Sequence, residues 1–192
     1  MRRAWWRWAL VAWALLVLGG CGQRVQEGAG AGGAPPVDTM LMAYLSKARA
    51  VHRQADMREE DGDRKGAVAE LEKLVTTPVP GGDRPMQEAQ EVLADTHARM
   101  AELRGQMGEY DEAERDIERG LARAPKVSFF EGHLIEIRGV IAQERARKLA
   151  AEGDKPGAER ERRKAFEHFD RAVQIQDKVI ERLLPDAGGL GR

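Results

Sequence analysis

The chain of 192 residues contains a single cysteine, Cys21. One cysteine forms no internal disulfide and supplies no multi-cysteine metal site. Aromatic residues make up only 5% of the chain, and all four tryptophans (Trp5, Trp6, Trp8, Trp13) fall within the first 20 positions. What remains for a core is Ala, Leu, Val and Met, which suits packed helices and not an aromatic β-core. An excess of one charge is also missing, since 31 basic residues face 32 acidic ones. Setting aside Arg2, Arg3 and Arg7 leaves 28 against 32, a net of −4. That balance argues against a nucleic-acid binder, which usually carries a basic surface. The chain has no strand-like alternation of useful length, no phosphate loop, no Gly-x-Ser-x-Gly elbow and no His-Glu-x-x-His zinc motif.

The one long apolar run is Trp8 to Leu18, which is also uncharged. It follows a basic start (Arg2, Arg3, Arg7) and precedes Gly19-Gly20. Charged, apolar and small residues in that order form a secretory signal. The run is shorter than the ~20 residues a membrane-spanning helix needs. A retained signal anchor is the alternative. Gathering the largest side chains in so short a leader fits a segment that is removed or inserted in a membrane.

Leu18-Gly19-Gly20-Cys21 resembles the lipobox of bacterial lipoproteins. The resemblance implies that residues 1–20 are a cleaved signal and that the Cys21 thiol carries a diacylglyceryl group. It also implies that the new amine is acylated. An ordinary signal peptide with a chance cysteine is the competing account. Each buried CH₂ contributes ~0.8 kcal/mol, so two or three chains on Cys21 would hold the protein at a bilayer, where one chain is marginal. Gly22 follows in place of the Asp typical of inner-membrane retention, so the resemblance favours the periplasmic face of the outer membrane. Residues 21–36 are rich in Gly and Ala, end Pro35-Pro36, and are expected to form a flexible tether.

From residue 37 the apolar spacing is helical. Asp38 is placed to cap a helix carrying Leu41, Tyr44, Leu45, Ala48, Val51 and Ala55, which Gly62-Asp63 breaks. A shorter helix follows through Ala67, Leu71 and Val75, then a loop from Pro78 to Pro85. A third helix carries Met86 to Leu103. Gly108 turns it into a fourth with Ala113, Ile117 and Leu121, ended at Pro125. Ser128-Phe-Phe-Glu131 is a capping-box pattern that opens a fifth helix. Gly153 breaks that helix, and Pro156 sits in the first turn of a sixth that runs to about Leu184. Residues 185–192 are expected to be a disordered tail.

The hairpins repeat. Ala55, Gly62, Ala67, Leu71 and Val75 recur 46 residues later as Ala101, Gly108, Ala113, Ile117 and Leu121. Ala101, Gly108 and Ala113 recur 45 residues later as Ala146, Gly153 and Ala158. Beyond Ala158 the spacing restarts at Ala165 and Phe169, which suggests a seven-residue insert. The run Gly108-x-Tyr110-x-x-Ala113-x-x-x-Ile117-x-x-Gly120-Leu121-x-x-x-Pro125 resembles the second half of a tetratricopeptide repeat. The resemblance implies an all-α, right-handed stack of about three hairpins over residues 37–184, with a protein-binding groove lined by the first helix of each hairpin. The period is longer than the family's ~34 residues, and Val51 and His97 stand where it favours a large aromatic. HEAT-type hairpins are the alternative.

The spacings place Arg53, Arg99 and Glu144 at equivalent sites on successive first helices, and Asp56, Glu102 and Arg147 one turn on. These residues are the candidate partner-binding face. As i,i+3 pairs they could equally support their own helices. His52, His97, His133 and His168 are expected at surface or groove positions, with no metal site and no cofactor beyond the acyl chains on Cys21. Acidic pairs such as Glu59-Glu60 and Asp111-Glu112 are expected at helix ends or on polar faces, solvated or complementing the helix dipole, and the run Arg160-Glu-Arg-Arg-Lys164 on a solvated face. No catalytic residues and no small-molecule substrate are evident. The expected function is a membrane-anchored scaffold binding other envelope proteins, of the kind that assembles an outer-membrane or secretion machine. The alternative is an envelope enzyme acting on cell wall or lipid, or its regulator.

Overall fold

The computed structural model describes residues 38–184. The expected signal, Cys21, the expected tether and the expected tail lie outside the described residues. Within them the chain is all-α, with six helices: α1 (Thr39–Glu60), α2 (Arg64–Val75), α3 (Gln87–Gln106), α4 (Tyr110–Leu121), α5 (Phe129–Ala151) and α6 (Lys155–Leu183). No helix among the described residues is long and apolar enough to cross a membrane.

The expected punctuation is present. The Asp38 side chain accepts from the Leu41 N–H and starts α1, Ser128 accepts from the Glu131 N–H and starts α5, and Pro156 lies in the first turn of α6. These side chains satisfy amide donors that the first turn of a helix leaves without partners. Glu131 completes its capping motif one residue earlier than expected, taking the Val127 N–H at 2.6 Å.

Three helix-to-helix corners share one geometry. Gly62, Gly108 and Gly153 have φ of +79°, +77° and +87°, a left-handed conformation that only glycine adopts without strain. After each glycine the next N–H reaches back to a carbonyl five residues earlier: Asp63 to Arg58, Glu109 to Arg104 and Asp154 to Leu149. This closes the last turn of the preceding helix. Asp63 and Asp154 then cap the following helix through the amides of Gly66 and Gly157. A Cβ at either glycine would lie 2.0 Å from the capping carboxylate. Glu109 makes no such cap, and the equivalent third residue there is Glu112, with a full side chain.

Packing follows the corners. Helices pair as α1 with α2, α3 with α4 and α5 with α6; α3 also touches both α1 and α2, and α5 touches both α3 and α4. Two apolar clusters result. One joins Val51, Ala55, Ala67, Leu71 and Leu74 with Leu93, Met100 and Leu103. The other joins Ala98, Ala101, Ala113 and Ile117 with Leu134, Ile137 and Ile141. Small residues allow the close approach. A Cβ on Gly120 would lie 2.6 Å from a Leu134 methyl, and one on Gly105 would lie 3.1 Å from Ile141. Leu121 is half-buried and Ala165 buried. Phe169 is half-buried, its ring over the backbone of Gly139.

Candidate functional site

A ladder of charge runs through the hairpins, at the 46- and 45-residue spacings. Glu70, Asp116 and Glu161 occupy equivalent places on α2, α4 and α6, and each pairs with the cation three residues on: Lys73, Arg119 and Lys164. Arg58 and Arg104, equivalent on α1 and α3, reach across to Glu70 and Asp116. Position 149, their counterpart on α5, is Leu. The middle rung is deepest. Asp116 is fully buried, with His97 Nδ1 3.4 Å from its Oδ1. Burial alone would raise the Asp116 pKa, but the His97 hydrogen bond and the Arg104 charge outweigh it and hold the carboxyl below its usual range. His97 and Asp116 tie α3 to α4, and His97 lies at the floor of a recess bordered by Glu72, Gln90, Met100 and Arg119. The ladder keeps the 45-residue spacing on α6 as far as Lys164, while the buried Ala165 and Ala172 and the half-buried Phe169 follow the apolar spacing that restarts after Ala158.

The expected surface histidines are corrected at one position. His97 is only 1% exposed, because it sits over Asp116 at the α3–α4 contact. His52 is half-buried, its Nε2 3.0 Å from Thr96 Oγ1. Burial lowers the His52 pKa against the opposing pull of Asp95 and Asp56. His133 lies 3.7 Å from Glu136 on its own helix. His168 is half-buried, and burial lowers its pKa. Among the described residues no group of three or more His, Cys, Asp or Glu is placed to hold a metal ion.

The first-helix face contains an open recess of about 770 Å³ between α1 and α3. Its apolar lining is Met42, Leu45, Ala48 and Val92, and its polar lining is Arg49, His52, Arg53, Asp56 and Asp95. α1 presents these residues on one side because 45, 49, 52, 53 and 56 fall at steps of three and four. Of the six expected face residues, Arg53 and Asp56 line this recess. Arg99 stands beside it and ties two helices together, pairing with Asp56 at 3.7 Å and with Glu59 on α1, and with Glu102 at 2.6 Å on α3. Glu144 and Arg147 pair with each other on α5. Thus α1 and α3 bring four of the six into one neighbourhood, while the α5 pair forms its own.

Arg49, Asp95 and Val92 were missed in the sequence reading. Only Arg49 carried a signal there, one helical turn before Arg53 on the same face. Asp95 and Val92 belong to the recess only because of the angle at which α3 meets α1. The recess offers two cations, two carboxylates and an apolar floor of Leu45, Ala48 and Val92, with Met42 exposed beside it. Such a surface suits an amphipathic segment that has side chains of both signs.

The chain matches no family model, no curated protein and no solved structure in comparisons with known proteins.

Proposed function

We propose that this chain is a lipid-anchored interaction scaffold of the bacterial envelope. Its three hairpins form a right-handed tetratricopeptide-like stack, and the α1–α3 recess binds a segment of another envelope protein. The observation that carries the reading is the recess itself: the exposed Met42 and the half-buried Leu45 and Val92 lie together between Arg49, Arg53, Asp56 and Asp95. Supporting it, the Arg99 ion pairs fix α1 against α3 and so pre-form the surface, which lowers the ordering cost of binding. On this reading Cys21 carries the acyl chains and residues 22–36 space the domain from the outer membrane, on its periplasmic face.

The test is capture from native membranes with quantitative identification of the retained protein. Arg49→Glu with Arg53→Glu leaves the Arg99 ties in place, so the melting temperature is expected to stay within a few degrees while one specific partner is lost. Binding of that partner to the parent protein should weaken as salt rises. A folded double variant that retains every partner of the parent would remove this face from the reading. Cys21→Ser is expected to release the chain from the membrane fraction or to block its maturation.

A further inference from the structure

We infer that the groove between α5 and α6 is a docking site for one helix of another protein, seated as α5 itself is seated between α3 and α4. The inference rests on the repeat register and does not depend on the α1–α3 recess. In each of the first two hairpins, three positions on the second helix meet the first helix of the next hairpin or the apolar cluster to which that helix contributes. On α2 these are Arg64, bonded to Gln106, Glu72, paired with Arg104, and Val75, packed in the first cluster. On α4 they are Tyr110, under Arg145 and Lys148, Glu118, paired with Arg138, and Leu121, packed in the second cluster. The equivalent residues on α6 are Lys155, Arg163 and Phe166.

Among the described residues nothing covers them. Phe166 is 63% exposed, and the recess beside it has a volume of about 590 Å³. The floor keeps the small residues that a docked helix needs. Gly105 and Gly120 lie under Ile141 and Leu134 of α5. Their counterparts in the open groove are Ala150 and Ala165, both lining it.

Charge sets the partner's chemistry. Where Glu72 and Glu118 each receive an arginine, α6 has Arg163. Where Ile117 is buried, α6 has Arg162, which lines the groove with Arg147 and Lys155 against one acid, Glu159. Arg162 and Arg163 have no ion pair among the described residues. The occupant is therefore an amphipathic helix with large aliphatic side chains seven residues apart, as Leu134 and Ile141 are. It carries an acid four residues after the first of these, where α5 has Arg138.

A stapled peptide spanning residues 129–151 tests this, since a helix taken from a protein loses the tertiary packing that supplies most of its stability. Two forms are compared by titration against the full chain in detergent: the parent sequence, and one with Arg138→Glu and Lys148→Glu. The acidic form is expected to bind about tenfold more tightly, and Arg162→Glu with Arg163→Glu in the protein should reverse that preference. Those substitutions lie on an exposed face, and a retained melting temperature confirms folding. Equal or absent binding of the two peptides would overturn the inference. So would a dimer that Phe166→Glu splits, which assigns the groove to a second copy. Loss of binding to vesicles of anionic lipid in the same arginine variant, without peptide selectivity, would assign it to the membrane.

Discussion

α4 and α6 begin alike and end differently. Both follow a glycine corner, both place a carboxylate six residues into the helix region at Asp116 or Glu161, and both pair it with a cation three residues on. α4 is covered by α5, so Asp116 is fully buried, Ile117 is fully buried and Gly120 must lack a Cβ. No following helix covers α6 among the described residues. There the same three positions are Glu161 at its edge, an exposed arginine at 162 and an alanine at 165. One repeat pattern thus yields a core or a surface according to what packs next, as expected for structures built by nearest-neighbour stacking.

The largest expected effect breaks the comparison at its charge. Asp116→Asn leaves Arg104 and His97 facing a neutral group in a buried site and should lose ~3–5 kcal/mol of stability. Glu161→Gln should lose no more than ~1 kcal/mol, because water reaches its partner. Urea unfolding at neutral pH measures both. The pH dependence has a definite sign. The native Asp116 pKa is depressed, so its contribution is complete above the unfolded carboxylate value of about 3.9 and is lost as pH falls through the lower native value. The parent and Asp116→Asn should therefore converge in stability at that acid end and diverge above it.

Apolar burial gives the next largest contrast. Ile117→Ala should destabilise by ~2–5 kcal/mol through the cavity it leaves, whereas Arg162→Ala should stay within ~0.5 kcal/mol. Comparable losses at the two sites would mean that α6 is covered as α4 is. The smallest effect concerns the α4–α5 connection, where Val127 takes φ of +51°. The repeated corners use glycine for such angles. Val127→Gly should raise stability by about 0.5–1 kcal/mol, the relief of left-handed strain less the added chain entropy, read from the shift in melting temperature.

The helices were legible because their signals are local. Asp38, Ser128 and Pro156 mark starts, Gly62, Gly108 and Gly153 mark ends, and the apolar steps between them are helical. The glycine spacing also located the three equivalent corners. The charge ladder was not legible. Glu70 and Asp116 look like solvated acids in the sequence, and only the approach of Arg58 and Arg104 from the preceding helix makes them interior. His97, expected at a surface or groove position, is buried for the same reason. The α1–α3 recess was half legible: Arg53 and Asp56 follow from periodicity on one helix, while Val92 and Asp95 enter through the crossing of two. The grouping of Glu144 with Arg99 was not found, because register equivalence makes residues alike and does not bring them into contact.

Native-state hydrogen exchange on the full chain tests most directly whether cover by the following helix separates otherwise equivalent repeats. The amides of α4 are expected to exchange only through global unfolding, and those of the equivalent stretch of α6, Lys155 to Phe166, through local opening of lower free energy. Equal protection along α4 and that stretch of α6, in the chain without any added partner, would contradict the account.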